Sequence, residues 1–341
     1  MPFLLEKKNN MESLRLIGAL LVMTTHSLLI LHGHERDWLY NFSHGAAKFS
    51  YLGLWIFFVL SGFLVTHSAL NSSSGFNFWK KRILRIYPAL FGLLIFTIFI
   101  FGPLATTLPL SDYFSTPQTW QNFWTLNVYR IKYFLPGVFV NHPHSSVNGA
   151  LWALPYELTL YLWPFCLIFF PAKIRRYATL ILFSILYLVL IFYSQKFSGA
   201  NIPVFNMDAG HLLNFALLFL GGSLFYLWKE KIPRSPYLTG GLLLIWIWSF
   251  GTVYADHGRY FVIPYLVLYL ATFPAWFKKL ATYGDFTYGF YLYGFVIQQL
   301  LFHFTGQYFS AFSFWFLSII LTLPFAVLSW YAFEKPMLKF K

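Results

Sequence analysis

Apolar stretches of about 20 residues recur along the whole sequence, and a helix of that length is what the hydrocarbon core of a bilayer requires. Only 10% of the 341 residues are charged, whereas 58% are hydrophobic and 23% are aromatic. Soluble domains carry more than twice that fraction of charged residues. Backbone polar groups in lipid must be satisfied within helices or closed barrels, and stretches without alternating polarity are not barrel strands. The sequence therefore predicts an all-α, polytopic transmembrane helical bundle.

About ten such stretches can be delimited by their hydropathy. They lie at roughly 12–32, 48–70, 84–103, 150–171, 177–195, 211–228, 237–254, 259–275, 283–305 and 310–333. The first stretch follows Lys7 and Lys8 as a secretory signal would, but it lacks a small-x-small cleavage site, so we expect an uncleaved span. We expect one membrane domain over 1–341 with no soluble appendage. Its long connection, about 104–149, is predicted to form an ordered outer cap because it is rich in aromatic residues.

The distribution of basic residues predicts the orientation of the spans. The formal net charge is +13, but Lys and Arg occur in short groups between apolar runs, which argues against a nucleic-acid partner. With the N-terminus in the cytoplasm, 18 of the 24 basic residues fall on the cytoplasmic side. The exceptions are Arg36, Lys48, Arg130, Lys132, Lys196 and Arg259. This asymmetry predicts ten spans with both termini in the cytoplasm. The single cysteine, Cys166, excludes a disulfide within the chain and a cysteine metal cluster, and no metal is expected.

Ionisable residues inside predicted spans are costly in lipid and are therefore candidates for a functional site. Arg15 and His26 are eleven residues apart on the first span, so they share a helix face and are separated by about 16 Å along the axis. Glu157 enters the fourth span from the outer side at a depth that matches that of His26. A carboxylate beside an imidazole fixes its tautomer and raises its basicity, as a general base requires. Alternatively, Arg15 reaches lipid phosphate, His26 is a hydrogen-bonded core residue, and Glu157 pairs with another buried donor.

Two further features have both a functional and a structural interpretation. Arg82 and Arg85 are three residues apart, so they share a face at the cytoplasmic end of a span, which suits a phosphate or pyrophosphate. A positive-inside cluster explains their charge equally well. The Ser61-Gly62 step in the second span is more typical of close helix packing than of a nucleophile.

Five motifs occur in a characteristic order over most of the chain. They are Glu12-Ser-Leu-Arg15 followed by His26, Phe57-Phe-Val-Leu-Ser61-Gly62-Phe63-Leu64, Arg82-Ile-Leu-Arg85-Ile-Tyr87-Pro88, Leu151-Trp152-Ala-Leu-Pro-Tyr156-Glu157 and Thr287-Tyr288-Gly289-Phe-Tyr291-Leu292. In this combination the sequence resembles the acyltransferase-3 family of integral membrane O-acyltransferases. It departs from the family pattern in two places. Glu12 stands where the family often has Asp, and Gly294 stands where it often has His, so no role of that late histidine can be transferred.

The resemblance implies an enzyme of the bacterial inner membrane that moves an acyl group, most often acetyl, from cytoplasmic acyl-CoA. The expected acceptor is a hydroxyl of an envelope glycan or lipid-linked sugar at the outer side. His26 is expected to be a general base or an acyl carrier, and Glu157 is expected to orient it. The residues expected to bind acetyl-CoA are Arg15, Arg82, Arg85 and Tyr87, and those expected to bind the acceptor are Trp152, Tyr156 and Asn148.

Two other functions would also fit a polytopic membrane protein. A transporter or flippase of a polar or lipid-linked substrate also places ionisable residues along a path through the bilayer. It would show repeat symmetry and matching broken helices, which the sequence does not indicate. A purely structural role would not explain why Arg15 and His26 lie on the same helix face. The sequence does not predict an oligomeric state.

Overall fold

Helices make up nearly all of the regular structure in the computed structural model. The structure describes residues 9–203, 205, 207–273 and 284–340. The predicted cytoplasmic lysines Lys7, Lys8, Lys278, Lys279 and Lys341 lie outside these ranges. Two short antiparallel strands, β1 (Asn201–Ile202) and β2 (Met207–Asp208), pair with each other. The predicted class, an all-α polytopic helical bundle, is confirmed.

The α-helices follow one another along the described part of the chain. In order they are α1 (Met11–His32), α2 (Trp38–Phe42), α3 (Phe49–Leu70), α4 (Gly75–Phe96), α5 (Gly102–Ala105), α6 (Leu110–Ser115), α7 (Pro117–Gln121), α8 (Leu154–Leu160), α9 (Leu162–Leu167), α10 (Ala172–Phe197), α11 (Ala209–Leu227), α12 (Pro236–Trp248), α13 (Val253–Ala271), α14 (Thr287–Thr305), α15 (Ala311–Ser329) and α16 (Lys335–Leu338). Turns of π-helix at Thr97–Phe101 and Trp330–Glu334 connect α4 to α5 and α15 to α16. Short 3-10 helices lie at Asn122–Leu126, Val128–Arg130 and Gly149–Ala153.

Six helical stretches in the described ranges are long and apolar enough to cross a bilayer by length and composition. They are Met11–His32, Phe49–Leu70, Gly75–Ala105, Ala172–Tyr193, Ala209–Leu227 and Ala311–Leu338. The shorter apolar helix α12 and the helices α13 and α14 overlap three further predicted spans, although α13 begins at Val253, six residues before the predicted start of its span. The total of ten spans and the cytoplasmic location of both termini stay predictions.

The predicted fourth span, 150–171, is wrong as a single continuous helix. A 3-10 helix at Gly149–Ala153 is followed by α8 and α9, with a break at Tyr161. Proline has no N–H to donate to the carbonyl four residues earlier. Pro164 therefore cannot bond to the carbonyl of Leu160, where α8 ends.

The chain divides into two compact units. The first contains the described residues within 1–18, 38–78 and 155–281, and the second contains those within 19–37, 79–154 and 282–341. Helix α1 therefore contributes its first residues to one unit and its remainder to the other. The predicted single-domain organisation stays a prediction.

In the first unit, α3 and α11 pack backbone against backbone. A Cβ atom on Gly62 would overlap the carbonyl oxygen of Phe219, and one on Gly222 would overlap the carbonyl oxygen of Val59. Small residues permit this approach of two helices in a membrane. The structure thus shows the close packing that the Ser61-Gly62 step predicts.

In the second unit, the long connection 104–149 is folded, as its composition predicts. Tyr113 is fully buried and donates a hydrogen bond to the carbonyl of Ile98, at 3.1 Å. The backbone N–H of Thr107 donates to the carbonyl of Gly137, at 3.0 Å. The first bond anchors the connection to the π-helical turn that follows α4, and the second joins two parts of the connection to each other. Its location on the outer face stays a prediction.

Candidate active site

Helix α1 carries Arg15 and His26 without interruption, so both side chains lie on one helix face, as their spacing predicts. His26 belongs to the second unit and is only 6% exposed. Its ring and the ring of Phe295 of α14 form an edge-to-face pair, with 5.0 Å between the ring centroids and 78° between the ring planes. The Phe295 ring restricts the rotation of the imidazole and excludes water from one side of it.

Asp37 is a buried carboxylate beside this turn that sequence reasoning missed. It is 2% exposed, and its Oδ2 accepts a hydrogen bond of 2.6 Å from the hydroxyl of the fully buried Thr25. The bond ties the segment after α1 back to the residue that precedes His26. The sequence feature that could have identified Asp37 is the position of an acidic residue close to the end of the first predicted span.

Glu157 lies on α8 in the first unit, and two hydroxyl groups hold its carboxylate. Its Oε1 accepts hydrogen bonds from Ser61 of α3, at 3.2 Å, and from Tyr161, at 2.5 Å. These two hydrogen bonds restrict the orientation of the Glu157 side chain. Glu157 and His26 belong to different units, and their pairing stays a prediction.

Arg82 and Arg85 lie on one continuous helix, α4, and therefore share a face, as predicted. Arg85 has two carboxylate partners within the second unit. Its guanidinium contacts Asp285 at 2.6 Å and Glu334 at 3.3 Å. Sequence reasoning missed both carboxylates. The binding of phosphate by Arg82, Arg85 and the half-buried Tyr87 stays a prediction.

A π-helical turn places Glu334 in this ion cluster. The turn spans Trp330–Glu334, and the Glu334 side chain is 1% exposed. Its other oxygen accepts a hydrogen bond of 3.0 Å from Ser329. π-Turns are rare and often occur at functional sites. We therefore treat the cluster of Arg85, Asp285 and Glu334 as a candidate functional element of the second unit.

The residues predicted to bind the acceptor have identifiable structural partners. In the second unit, Asn148 caps the 3-10 helix by accepting from the N–H of Ala150, at 3.2 Å, and donates to the carbonyl of Leu292, at 2.7 Å. Trp152 on that helix is partly exposed. In the first unit, the Tyr156 hydroxyl accepts a bond of 2.8 Å from the N–H of Asp208. Their contact with an acceptor stays a prediction.

Burial favours the neutral form of two histidines in the connection 104–149. Burial lowers the pKa of His142; its hydrogen bond to Gln299 opposes this shift, and the nearby His303 adds to it. Burial also lowers the pKa of His144, against the attraction of Glu35. Both imidazoles therefore resist protonation near neutral pH.

With this geometry in place, comparison with known proteins identifies the family. The acyltransferase-3 family model, described as an acyltransferase domain, matches residues 8–331. The chain belongs to the acyltransferase-3 family. The matched region contains every site residue predicted from the sequence and ends just before Glu334. The resemblance found from the motifs is confirmed.

Two curated relatives match part of this acyltransferase-3 family protein. An O-acetyl transferase of Shigella phage Sf6 is 28% identical over 176 residues, which cover 46% of this chain and 45% of the relative. Nodulation protein 10 of Rhizobium leguminosarum bv. viciae is 34% identical over 168 residues, which cover 46% of this chain and 42% of the relative. The chain thus spans less than half the length of these two relatives. No solved structure gives a significant match.

Proposed function

We propose that this family member is a membrane O-acyltransferase that moves an acetyl group from cytoplasmic acetyl-CoA to a hydroxyl at the outer side of a bacterial inner membrane. The acceptor in this proposal is an envelope glycan or a lipid-linked sugar. Family membership and the name of the phage relative support O-acyl transfer. The observation that carries the proposal is that Arg85 and His26 contact the same helix, α14, at two different positions along its axis.

Arg85 contacts the beginning of α14, and His26 contacts its middle. The guanidinium pairs with Asp285, just before the helix, and lies 5.7 Å from the ring centroid of Tyr288. His26 packs against Phe295. Tyr288 and Phe295 are separated by about 10 Å along the helix axis at 1.5 Å per residue. The pantetheine arm of coenzyme A is an extended chain that can cover such a distance, so phosphates at the arginines would leave the thioester near His26.

In the proposed reaction, Arg82 and Arg85, helped by Arg15, hold the phosphates of coenzyme A by charge-assisted hydrogen bonds. His26 accepts the proton of the acceptor hydroxyl while that oxygen attacks the thioester carbonyl. The carbon–sulfur bond breaks, and the departing thiolate takes the proton from His26, which gives the ester and free CoA. Glu157 orients the imidazole during these steps.

A variant of this route uses His26 as an acyl carrier. The imidazole nitrogen would then attack the thioester first and pass the acyl group to the hydroxyl in a second step. The two routes differ in one observable, because only the second leaves label on the protein when no acceptor is present. In both, Trp152 offers a stacking surface for a sugar ring, and Tyr156 and Asn148 contribute polar contacts.

The transporter or flippase is a second candidate because the helical stretch from Gly149 to Leu167 is interrupted, a feature of many transporters. The test is to incubate the purified protein with radiolabelled acetyl-CoA and the envelope glycan fraction of a host from which the gene has been deleted. We expect labelled glycan and free CoA. Absence of both CoA binding and thioester turnover would refute the proposal and favour transport.

A further inference from the structure

Two adjacent glutamines, Gln298 and Gln299, lie in the middle of α14, and both side chains are 0% exposed. Amides buried in a membrane helix are costly unless they are fully hydrogen-bonded, and such residues mark candidate functional positions. Neighbouring side chains on a helix point about 100° apart. The two glutamines consequently reach different parts of the second unit.

Gln299 is fully hydrogen-bonded to the connection 104–149. Its Nε2 donates to the carbonyls of His144, at 2.6 Å, and Ser146, at 2.7 Å. Its Oε1 lies 2.8 Å from Nδ1 of His142 and must be the acceptor, because an amide oxygen cannot donate. Replacing Gln299 would leave two carbonyls and an imidazole N–H without these partners, so the side chain contributes to stability.

Gln298 instead holds the turn of α1 that carries His26. Its Nε2 donates to the carbonyl of Met23, at 2.9 Å, and lies 2.8 Å from the hydroxyl oxygen of Ser27. A carbonyl only accepts, so the orientation of the amide is determined. The Oε1 of Gln298 is buried with no hydrogen-bond partner in the part of the chain that the structure describes.

Stability does not account for Gln298. The Ser27 hydroxyl already donates to the carbonyl of Met23, at 2.9 Å, so both groups have a partner without the amide. A buried oxygen that accepts no hydrogen bond costs about 1–3 kcal/mol. An apolar side chain of similar volume would remove that cost and would leave neither partner unsatisfied. The two hydrogen bonds of the glutamine, at about 0.5–1.5 kcal/mol each, roughly offset the cost of its unpaired oxygen, so an apolar residue at this site would be about as stable.

We propose that Gln298 is a positioning residue for His26. Its amide fixes the turn from Met23 to Ser27 against α14, where the close approach at Gly294 leaves little space, since a Cβ there would lie 3.1 Å from the sulfur of Met23. The imidazole is thereby held against Phe295 in one orientation toward the thioester. This inference rests on the proposed function of His26.

Gln298→Met and Gln299→Met form a matched pair, because the substitution, the helix and the burial are the same. The assay follows release of free CoA from acetyl-CoA in the presence of the same glycan fraction, together with CoA affinity and Tm in detergent. For Gln298→Met we expect a Tm within about 2 °C of wild type and an unchanged KM for acetyl-CoA. We also expect kcat to fall about tenfold, because small misplacements of a catalytic group have effects of this size or larger.

For Gln299→Met we expect a Tm several degrees lower and a kcat per folded molecule close to that of wild type. A wild-type kcat in Gln298→Met would overturn the positioning role. Parallel losses of Tm and kcat in both variants would also overturn it, because Gln298 would then act only on folding. Failure of the proposed function has a different signature: wild-type protein would release no CoA, or His26→Gln would match wild type, and the inference would fall with it.

Discussion

Arg85 and Arg82 are expected to respond differently to the same substitution, although they lie one turn apart on α4. The guanidinium of Arg85 contacts Asp285 at 2.6 Å and Glu334 at 3.3 Å, and the Glu334 side chain is 1% exposed. Arg85→Gln removes the cation and leaves the carboxylate of Glu334 buried. We expect this variant to lose stability, whereas Arg82→Gln should mainly weaken CoA binding.

The size of the effect follows from the burial of the pair. Removal of one member of a buried ion pair costs up to about 3–5 kcal/mol, because the remaining carboxylate must stay uncompensated or take up a proton. Glu334 dominates this cost, since Asp285 is 15% exposed and water screens its charge. In a chain of this length, each kcal/mol changes the midpoint of unfolding by a few degrees or less, so Tm should fall by roughly 5–10 °C.

Thermal unfolding in detergent, followed by intrinsic tryptophan fluorescence, measures this effect in Arg85→Gln, Arg82→Gln and the double variant Arg85→Gln/Glu334→Gln. The second substitution removes the uncompensated charge and should recover about half of the loss. A wild-type Tm for Arg85→Gln would refute the structural role of the ion cluster. Unchanged CoA affinity in Arg82→Gln would show that Arg82 does not bind CoA and serves only to orient the spans.

Three further outcomes are expected. Gly62→Leu should separate α3 from α11 and abolish monodisperse protein, and normal elution of this variant would contradict the packing. Gly240→Leu should elute normally, because within the described ranges no atom outside its own helix lies within 4 Å of a Cβ at Gly240. Because the pKa values of His142 and His144 lie below 6.5, the stability that they contribute is retained above pH 6.5 and is lost as the pH falls below it. Hydrogen exchange over 139–148 should therefore be faster at pH 5.5 than at pH 7.5, and equal protection would count against this. A reporter inserted between α6 and α7 should be external, and a cytoplasmic signal would overturn the predicted orientation.

The helices could be predicted because their apolar runs are long and lack alternation. Helix α1 covers Met11–His32, within one residue of the predicted span, and α3 agrees equally well. The interruption of the predicted fourth span is a local effect of Pro164, which cannot donate a backbone hydrogen bond. Hydropathy does not depend on backbone hydrogen bonds, so a scan for long apolar stretches does not detect the interruption.

The candidate site could be predicted only where its geometry is local. The spacing of Arg82 and Arg85 determines that they share a face of α4. The carboxylates that pair with Arg85 are 200 and 249 residues away in the sequence, and only the packing of distant helices brings them together. Gln298 and Gln299 did carry a signal, since two adjacent amides inside an apolar run are unusual in a membrane helix.

Acyl transfer by His26→Gln tests the central claim most directly, since a general base or acyl carrier acts on the chemical step and a structural histidine acts on folding. Glutamine keeps a hydrogen-bonding side chain but cannot accept and return a proton near neutral pH. We expect His26→Gln to insert normally, to bind CoA and to keep a Tm near that of wild type, with transfer reduced by roughly 10²–10⁴-fold. Arg15→Gln, on the same helix face, should mainly weaken donor binding. Transfer by His26→Gln at more than about a tenth of the wild-type rate would contradict a role of His26 in the chemical step.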